Sequence, residues 1–303
     1  MNFIEEAKKL GIGNTPLIPY EEDFDADIYI KNETFNASGS VKDRAALALI
    51  LDAEEKGLLK RGDTIIEATS GNMGISLAYV GVKRGYKVIL AMPETMSAER
   101  RELLQGLGAQ LVLTEGKLGM QGAIDTVEEL SREPNRVWLK QFENPANVYA
   151  HYVSTGIEIA EQLDRVDVFV AGVGTAGTVV GTAKRLREKF PDCEIVAVEP
   201  AGCASISRGE KGIHAIQGIG AGFVTKLYDG SVVDKVELVT DEQALETFDT
   251  LNNKQGYCCG ISSAANIVVA VRLAQDPRYK GKNIVTLFPD GDDRYESLLK
   301  NNR

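Results

Sequence analysis

Short β-branched runs alternate with longer amphipathic stretches along most of this chain. With 303 residues, the chain is long enough for about two domains. Strands that alternate with helices usually pair in parallel and are covered by helices on both faces. The pattern therefore predicts an α/β fold of two doubly wound domains with mostly parallel sheets. The predicted strands are Thr64 to Ile66, Lys87 to Met92, Gln110 to Leu113, Asp167 to Ala171, Glu194 to Val198 and Asn283 to Phe288.

The boundary between the two domains is not marked by a linker rich in Pro, Ser or Gly. The polar, Pro-containing stretch from Gln141 to His151 is the best candidate for a crossing between them. We therefore expect a smaller N-terminal domain over 1–145 and a larger C-terminal domain over 146–303. Residues 12–35 are a candidate segment to cross to the other domain.

Charge and composition exclude several classes of function. The formal net charge is −10 and Lys and Arg form no block, so the electrostatics oppose binding to nucleic acid or to an anionic membrane. No apolar run approaches membrane-spanning length, and the first residues lack a basic, then apolar, leader. The spacing of the four cysteines indicates neither a disulfide framework nor a zinc site. We expect a cytoplasmic protein without a metal centre.

A lysine stands in an unusual place in the segment Gly39 to Arg44. A turn of small residues leads there into a predicted helix, and Lys42 falls in its first turn. Because the dipole at a helix N-terminus repels cations, an ordinary lysine is disfavoured there. A lysine that forms a Schiff base with a carbonyl cofactor is not penalised in this way. A surface lysine is the alternative interpretation of Lys42 taken alone.

Three further turns of small and polar residues lie before predicted helices. The turn Thr69-Ser70-Gly71-Asn72-Met73-Gly74 follows the strand at Thr64 to Ile66, and its hydroxyls and helix-start N–H groups suit a carboxylate or a phosphate. The turn Gly172 to Thr178 combines glycines with threonine hydroxyls, which suits a phosphate monoester. A Rossmann dinucleotide site is its natural competitor, but that motif belongs at the first βα turn. The turn Cys259 to Ala265 is by itself an ordinary helix cap.

In this order, the segments resemble the fold-type II pyridoxal phosphate enzymes, and among them the cysteine synthase (O-acetylserine sulfhydrylase) family. The resemblance covers nearly the whole chain. Besides the four turns, it rests on Gly13 to Leu17, on Met92-Pro93 with Ser97, Glu99 and Arg100, on Gln141 to Pro145, on Gln217 to Phe223 and on Asp290 to Asp292.

The resemblance implies a role for each matching residue. Lys42 holds pyridoxal 5′-phosphate (PLP) as a Schiff base and acts as acid and base at the substrate Cα, while Asn72 contacts the phenolic oxygen of the cofactor. Ser262 hydrogen-bonds the pyridine nitrogen. The phosphate is bound by Gly174, Thr175, Ala176, Gly177 and Thr178. The substrate carboxylate lies against Thr69, Ser70, Gly71, Asn72, Met73 and Gln141, with Gly218 and Ala221 at the mouth of the site.

The sequence departs from the usual family pattern at four positions. Ala37 stands where Pro is usual, Met73 where Thr is usual, Ala176 in a usual Gly position, and Ala264 where Gly commonly follows the two serines. None of these changes removes a proposed chemical group. Met73 and Ala176 can reshape the substrate pocket, so the choice of substrates is open.

The reaction that the resemblance implies is β-elimination followed by β-replacement on a small amino acid, with sulfide or a thiol as nucleophile. Cysteine synthesis from O-acetylserine and sulfide is the first candidate. A relative that releases hydrogen sulfide from cysteine and forms lanthionine, serine or cystathionine is the main rival. Serine or threonine dehydratases share the architecture but fit Gln141 to Pro145 and Gln217 to Phe223 less well. The resemblance further implies a homodimer. As an alternative of another functional class, the protein acts as a regulatory binding partner of serine acetyltransferase, whose C-terminal tail it binds.

Overall fold

The computed structural model describes residues 2–69, 71–96 and 98–295, and the side chain of Glu99 lies outside this description. The described chain forms two compact units. Within the described residues, the smaller unit comprises 2–12 and Lys42–Asn147, and the larger unit comprises Gly13–Val41 and 148–295. The chain therefore passes from the larger into the smaller unit directly before Lys42.

The smaller unit is built on a parallel sheet of four strands in the order β5-β4-β3-β6. Ile66 and Ala91 of this sheet form an apolar cluster with the helix residues Ala123 and Val127. The strands are β3 (Thr64–Ala68), β4 (Lys87–Pro93), β5 (Gln110–Thr114) and β6 (Arg136–Trp138). The helices are α1 (Phe3–Leu10), α2 (Lys42–Glu55), α3 (Asn72–Lys83), α4 (Ala98–Gly106) and α5 (Gly119–Leu130), and α6 (Ala146–Val153) begins in this unit.

The larger unit has a sheet of six strands in the order β1-β2-β10-β7-β8-β9. All neighbours pair in parallel except β1 and β2. Its strands are β1 (Leu17–Pro19), β2 (Asp27–Asn32), β7 (Val168–Gly172), β8 (Glu194–Pro200), β9 (Lys235–Val239) and β10 (Asn283–Phe288). Its remaining helices are α7 (Thr155–Gln162), α8 (Gly177–Lys189), α9 (Asp241–Asp249) and α10 (Ile261–Ala274).

Apolar residues from β7, β8 and β10 enter two buried clusters in this unit. In β7, Val168 and Val170 belong to one cluster, and Phe169 and Ala171 belong to the other. Since successive side chains of a strand point to opposite faces, the central strands are buried on both faces, as parallel sheets require. The predicted α/β class with mostly parallel sheets is confirmed. Within the described part of the chain, the helices fall short of the length and apolarity that a bilayer crossing requires.

The starts of α9 and α2 are well defined by their local structure. The hydroxyl of Thr240 accepts a hydrogen bond from the Gln243 N–H at 3.2 Å, and the Gln243 side chain accepts one from the Thr240 N–H at 3.1 Å. Thr240 and Gln243 therefore form a capping box at the start of α9. Helix α2 begins at Lys42, so this lysine does lie in a first turn.

Candidate active site

The turn from Thr69 to Met73 connects the carboxyl end of β3 to α3 in the smaller unit. The Thr69 N–H donates to the carbonyl of Ala91 at 3.1 Å, which ties the turn to β4. The Thr69 hydroxyl accepts from the Gly71 N–H at 3.2 Å. Gly71 is the N-cap of α3 and has an extended backbone with no side-chain cap. The turn thus brings a hydroxyl and a helix start to one place, while Ser70 lies outside the described residues.

The two glycines of this turn have different surroundings. A Cβ atom on Gly71 would have no other atom within 4 Å, whereas one on Gly74 would lie 3.2 Å from Leu90 and 3.3 Å from Thr69. A side chain at Gly74 would therefore displace Leu90 or Thr69 slightly, whereas Gly71 faces open space in which a ligand group fits. Met73, between them, is only 2% exposed.

Gln141 lies at the same edge of the smaller sheet as Thr69. Strands β3 and β6 are parallel neighbours with Ile66 opposite Trp138, and Gln141 follows β6 by three residues. Gln141 is buried, and its carbonyl accepts from the Asn147 side chain at 2.9 Å. The carboxyl ends of two neighbouring strands thus place Thr69 and Gln141 on one edge, where ligands bind in parallel sheets.

The turn Gly172 to Thr178 lies between β7 and α8 in the larger unit. Ala176 is the N-cap of α8 and has a left-handed backbone, with φ of 70°. The carbonyl of Thr175 accepts from the Thr225 hydroxyl at 2.9 Å, and the Thr178 hydroxyl lies 3.3 Å from Nε2 of His151. Backbone N–H groups at the start of a 13-residue helix and neutral hydroxyls together suit an anion.

Gly218 contacts both this turn and Ser262. A Cβ on Gly174 would lie 2.5 Å from the Gly218 carbonyl oxygen, and one on Gly218 would lie 3.6 Å from the Ser262 Oγ. Ser262 is 2% exposed in the first turn of α10. The Gly220 N–H donates to the Val173 carbonyl at 2.9 Å, which fixes the loop on the turn. The larger unit therefore brings Gly174, Gly218 and Ser262 together, with Ala221 half-buried in the same loop.

Lys42 is half-buried at the start of α2. Directly before it, the Val41 N–H donates to the Pro289 carbonyl at 2.8 Å, and Ser40 forms a β-bridge with Asp290. The backbone that leads to Lys42 is thus anchored to the segment after β10. Asp290 belongs to a segment that the sequence analysis used only for the resemblance.

Two sets of residues beside the turns were not singled out as site residues from the sequence. His151 is 1% exposed, and its Nδ1 lies 2.9 Å from the Thr155 hydroxyl, so its ring connects Thr155 to Thr178. Glu67 is buried at the end of β3 and accepts from the Trp138 indole N–H at 2.8 Å. Glu67 could have been found from the sequence, because it is an acidic residue within an otherwise apolar strand. Nothing in the sequence indicated that His151 contacts Thr178.

Comparison with known proteins agrees with this architecture. Residues 8–290 match the family described as "Pyridoxal-phosphate dependent enzyme". The chain is 45% identical over 291 residues to a cysteine synthase of Staphylococcus aureus, with 94% of each chain covered.

Two solved structures have nearly the same fold. A cysteine synthase of Entamoeba histolytica superposes with a TM-score of 0.92 at 40% identity, covering 99% of this chain and 90% of that one. A hydrogen sulfide-producing enzyme of Fusobacterium nucleatum superposes with a TM-score of 0.90 at 40% identity, covering 95% and 96%.

The chain belongs to the PLP-dependent enzymes and, within them, to the cysteine synthase family. It is an enzyme, and its cofactor is PLP, as the resemblance implied.

The residues present fit this cofactor. The turn at Gly174 to Thr178 offers a helix start and neutral hydroxyls to a phosphate, and the buried Ser262 offers a hydroxyl to a ring nitrogen. Gly71 leaves open space beside the start of α3.

Proposed function

We propose that this enzyme catalyses β-replacement on a small amino acid and makes cysteine from O-acetylserine and sulfide. When bound, PLP withdraws electrons from the substrate Cα and so makes the bond to the β-substituent labile. The relatives named cysteine synthase match nearly the whole chain at 45% identity, which supports this choice of reaction.

The neutral hydroxyl at Ser262 is the observation that carries the reaction class. Enzymes that use a full carbanion usually place a carboxylate at the pyridine nitrogen, whereas a serine leaves this nitrogen neutral. Ser262 is buried beside Gly218, which contacts Gly174 in the phosphate turn. A neutral partner favours elimination and replacement over transamination or decarboxylation.

The other residues then have distinct tasks. Lys42 would hold the cofactor covalently until the amino group of the substrate replaces it, and the freed Lys42 amine would then remove the proton from the substrate Cα and later return it. Thr69, Asn72 and Gln141 bind and orient the substrate carboxylate, with Ser70, Gly71 and Met73 in the same turn. The turn at Gly174 to Thr178 binds the phosphate, and Gly218 and Ala221 line the entrance. Fixed orientation of this kind supplies much of the rate in enzyme reactions.

Release of sulfide from cysteine is the second candidate. Met73 is a buried, flexible and polarizable side chain in the substrate turn, and such a side chain suits a thiol leaving group. The similar structure from Fusobacterium nucleatum is described as a hydrogen sulfide-producing enzyme. The second nucleophile is then cysteine, water or another thiol.

Product analysis of the purified enzyme tests both candidates. Serine, O-acetylserine and cysteine are each supplied alone, with sulfide and with a second thiol. Efficient cysteine formation without sulfide release from cysteine supports the first candidate and excludes the second. Sulfide release from cysteine with little cysteine formation reverses that choice, and no product from any amino acid contradicts the proposed function.

We also propose that the enzyme is cytoplasmic and that it forms a homodimer, as is usual in the family. Light scattering after gel filtration tests the homodimer. Binding of the C-terminal peptide of a serine acetyltransferase, measured by calorimetry, tests the regulatory role.

A further inference from the structure

Glu67 is a buried acid in the smaller unit, two residues before Thr69. It lies near the end of β3 and is 2% exposed. On the neighbouring strand β4, Leu90 lies opposite Glu67. A carboxyl group in such surroundings is retained only if polar partners compensate its burial.

The contacts of the Glu67 carboxyl group are hydrogen-bond donors. Its Oε1 accepts from the Trp138 indole N–H at 2.8 Å and from the Ala68 N–H at 3.0 Å. Its Oε2 accepts from the Gln141 N–H at 3.4 Å, and the nearby backbone of Lys140 lowers the pKa of the group. Donors alone match a carboxylate, which only accepts, better than a protonated acid.

These bonds hold a strained piece of backbone. Lys140 has a left-handed conformation with φ of 55°, which residues other than glycine adopt only when their surroundings enforce it. On its other side, Gln141 is fixed by the hydrogen bond from Asn147 to its carbonyl. Glu67 therefore accepts a hydrogen bond from the backbone at the point where the chain turns after β6, next to the left-handed Lys140.

Burial raises the pKa of Glu67 to about 7, although the hydrogen bonds oppose this shift. Ala123 and Val127 of α5 pack with Ile66 and Ala68, the neighbours of Glu67 in β3, and add no charged group there. The Lys140 ammonium lies 5.1 Å from the centre of the Trp138 ring. Charged residues on β4, α5, β6 and the turn after β6 are Lys87, Asp125, Glu128, Glu129, Arg136, Lys140 and Glu143, all of them exposed except the half-buried Arg136.

We propose that Glu67, in its carboxylate form, is a positioning residue for binding of the substrate carboxylate. It fixes the backbone of Lys140 and Gln141 against the end of β3 and thereby sets the distance between the Gln141 and Thr69 side chains. This role rests on the proposed function, in which Gln141 and Thr69 bind the substrate.

The first test does not depend on catalysis. Trp138 is the only tryptophan, so the holoenzyme labelled with ¹⁵N at the indole nitrogen gives one indole N–H resonance per subunit environment. We expect this resonance to shift with a midpoint within about one unit of pH 7 in the wild type and to stay constant in Glu67→Gln. A resonance that titrates equally in the wild type and in Glu67→Gln, or that has the same chemical shift in both at every pH, overturns the proposal.

The second test separates positioning from chemistry. In Glu67→Gln only the amide oxygen can accept hydrogen bonds. The NH₂ group takes the place of the second oxygen and faces an N–H donor, with which it cannot form a hydrogen bond. We expect KM for O-acetylserine to rise roughly fivefold to tenfold and kcat to change less than about twofold. The reason is that the variant weakens binding of the substrate carboxylate, which is equally needed in the ground state and in the transition state. Glu54→Gln is the matched control, since Glu54 accepts from Arg84 and Tyr86 in the same unit, and its KM should stay at the wild-type value.

Failure of this inference and failure of the proposed function give different results. A wild type without β-replacement activity contradicts the function, while the indole titration still tests Glu67. An active wild type with an unchanged KM in Glu67→Gln contradicts the positioning role. If Glu67→Gln does not fold, the wild-type KM for O-acetylserine must rise as pH falls through the indole midpoint, and a constant or falling KM overturns the proposal.

Discussion

The carbonyl oxygen of Gly218 packs directly against Gly174, so closely that a Cβ on Gly174 would lie only 2.5 Å from it. The Gly218 carbonyl and the Gly174 Cα are both parts of the backbone. Neither can move without displacing the phosphate turn or the loop that carries Gly218. We expect Gly174→Ala to weaken PLP binding at least about tenfold, as measured by titration of the visible absorbance. Gly230→Ala is the control, because its Cβ would meet only Tyr228 at 3.7 Å. Equal affinity in Gly174→Ala and wild type would contradict this assignment.

Ala176 adopts a left-handed conformation that glycine tolerates better. We expect Ala176→Gly to lower the free energy of unfolding less than a glycine elsewhere in α8 does, because relief of the left-handed strain offsets the loss of a buried methyl group and the added freedom of the unfolded chain. Urea unfolding of the holoenzyme at saturating PLP measures the change. Ala183→Gly, at a likewise buried alanine in the interior of α8, should lower the stability more, so equal losses in the two variants speak against strain at Ala176.

Lys42→Ala should abolish turnover and leave the fold intact, because this half-buried residue contributes a covalent bond and a proton transfer more than core area. Borohydride should fix PLP to the wild type but not to the variant, as intact mass shows. Lys56→Ala, at an exposed lysine near the end of the same helix, is the control. Normal activity in Lys42→Ala would remove the basis of the proposed mechanism.

Ser262→Asp should place a carboxylate where the proposed function needs a neutral partner for the pyridine nitrogen. We expect a protonated nitrogen, an altered visible spectrum and slower replacement. Ser262→Ala serves as the comparison, since it removes the hydroxyl without adding charge. An unchanged spectrum and rate in Ser262→Asp would show that this residue does not contact the ring.

Met73→Thr should shift the selectivity from cysteine toward O-acetylserine. We expect the ratio of kcat/KM for O-acetylserine to kcat/KM for cysteine to rise when a hydroxyl replaces the flexible thioether. The rise should correspond to about 1–2 kcal/mol, the scale of one pocket contact. Sulfide release from cysteine alone is compared with cysteine formation from O-acetylserine and sulfide. Met96→Thr, outside the substrate turn, is the control, and the same ratio in Met73→Thr and wild type would exclude Met73 as the determinant.

The sequence determined the elements of the parallel sheets because their signal is local. The predicted strands at Lys87 to Met92, Glu194 to Val198 and Asn283 to Phe288 lie within β4, β8 and β10 or coincide with them. The helix starts at Asn72 and Gly177 were likewise readable, because small and polar residues follow apolar runs there. The family, and with it PLP, was readable from the order of these turns along the chain.

Tertiary structure alone decided which distant residues meet. Parallel pairing of β2 with β10 places residues 13–41 in the larger unit, although about 250 residues separate the two strands. The approach of Gly218 to Gly174 and Ser262, the contact of His151 with Thr178 and the bonds of Glu67 to the turn after β6 all join segments far apart in sequence. Local composition specifies strands, turns and caps, but strand order and side-chain packing determine which of these turns lie side by side.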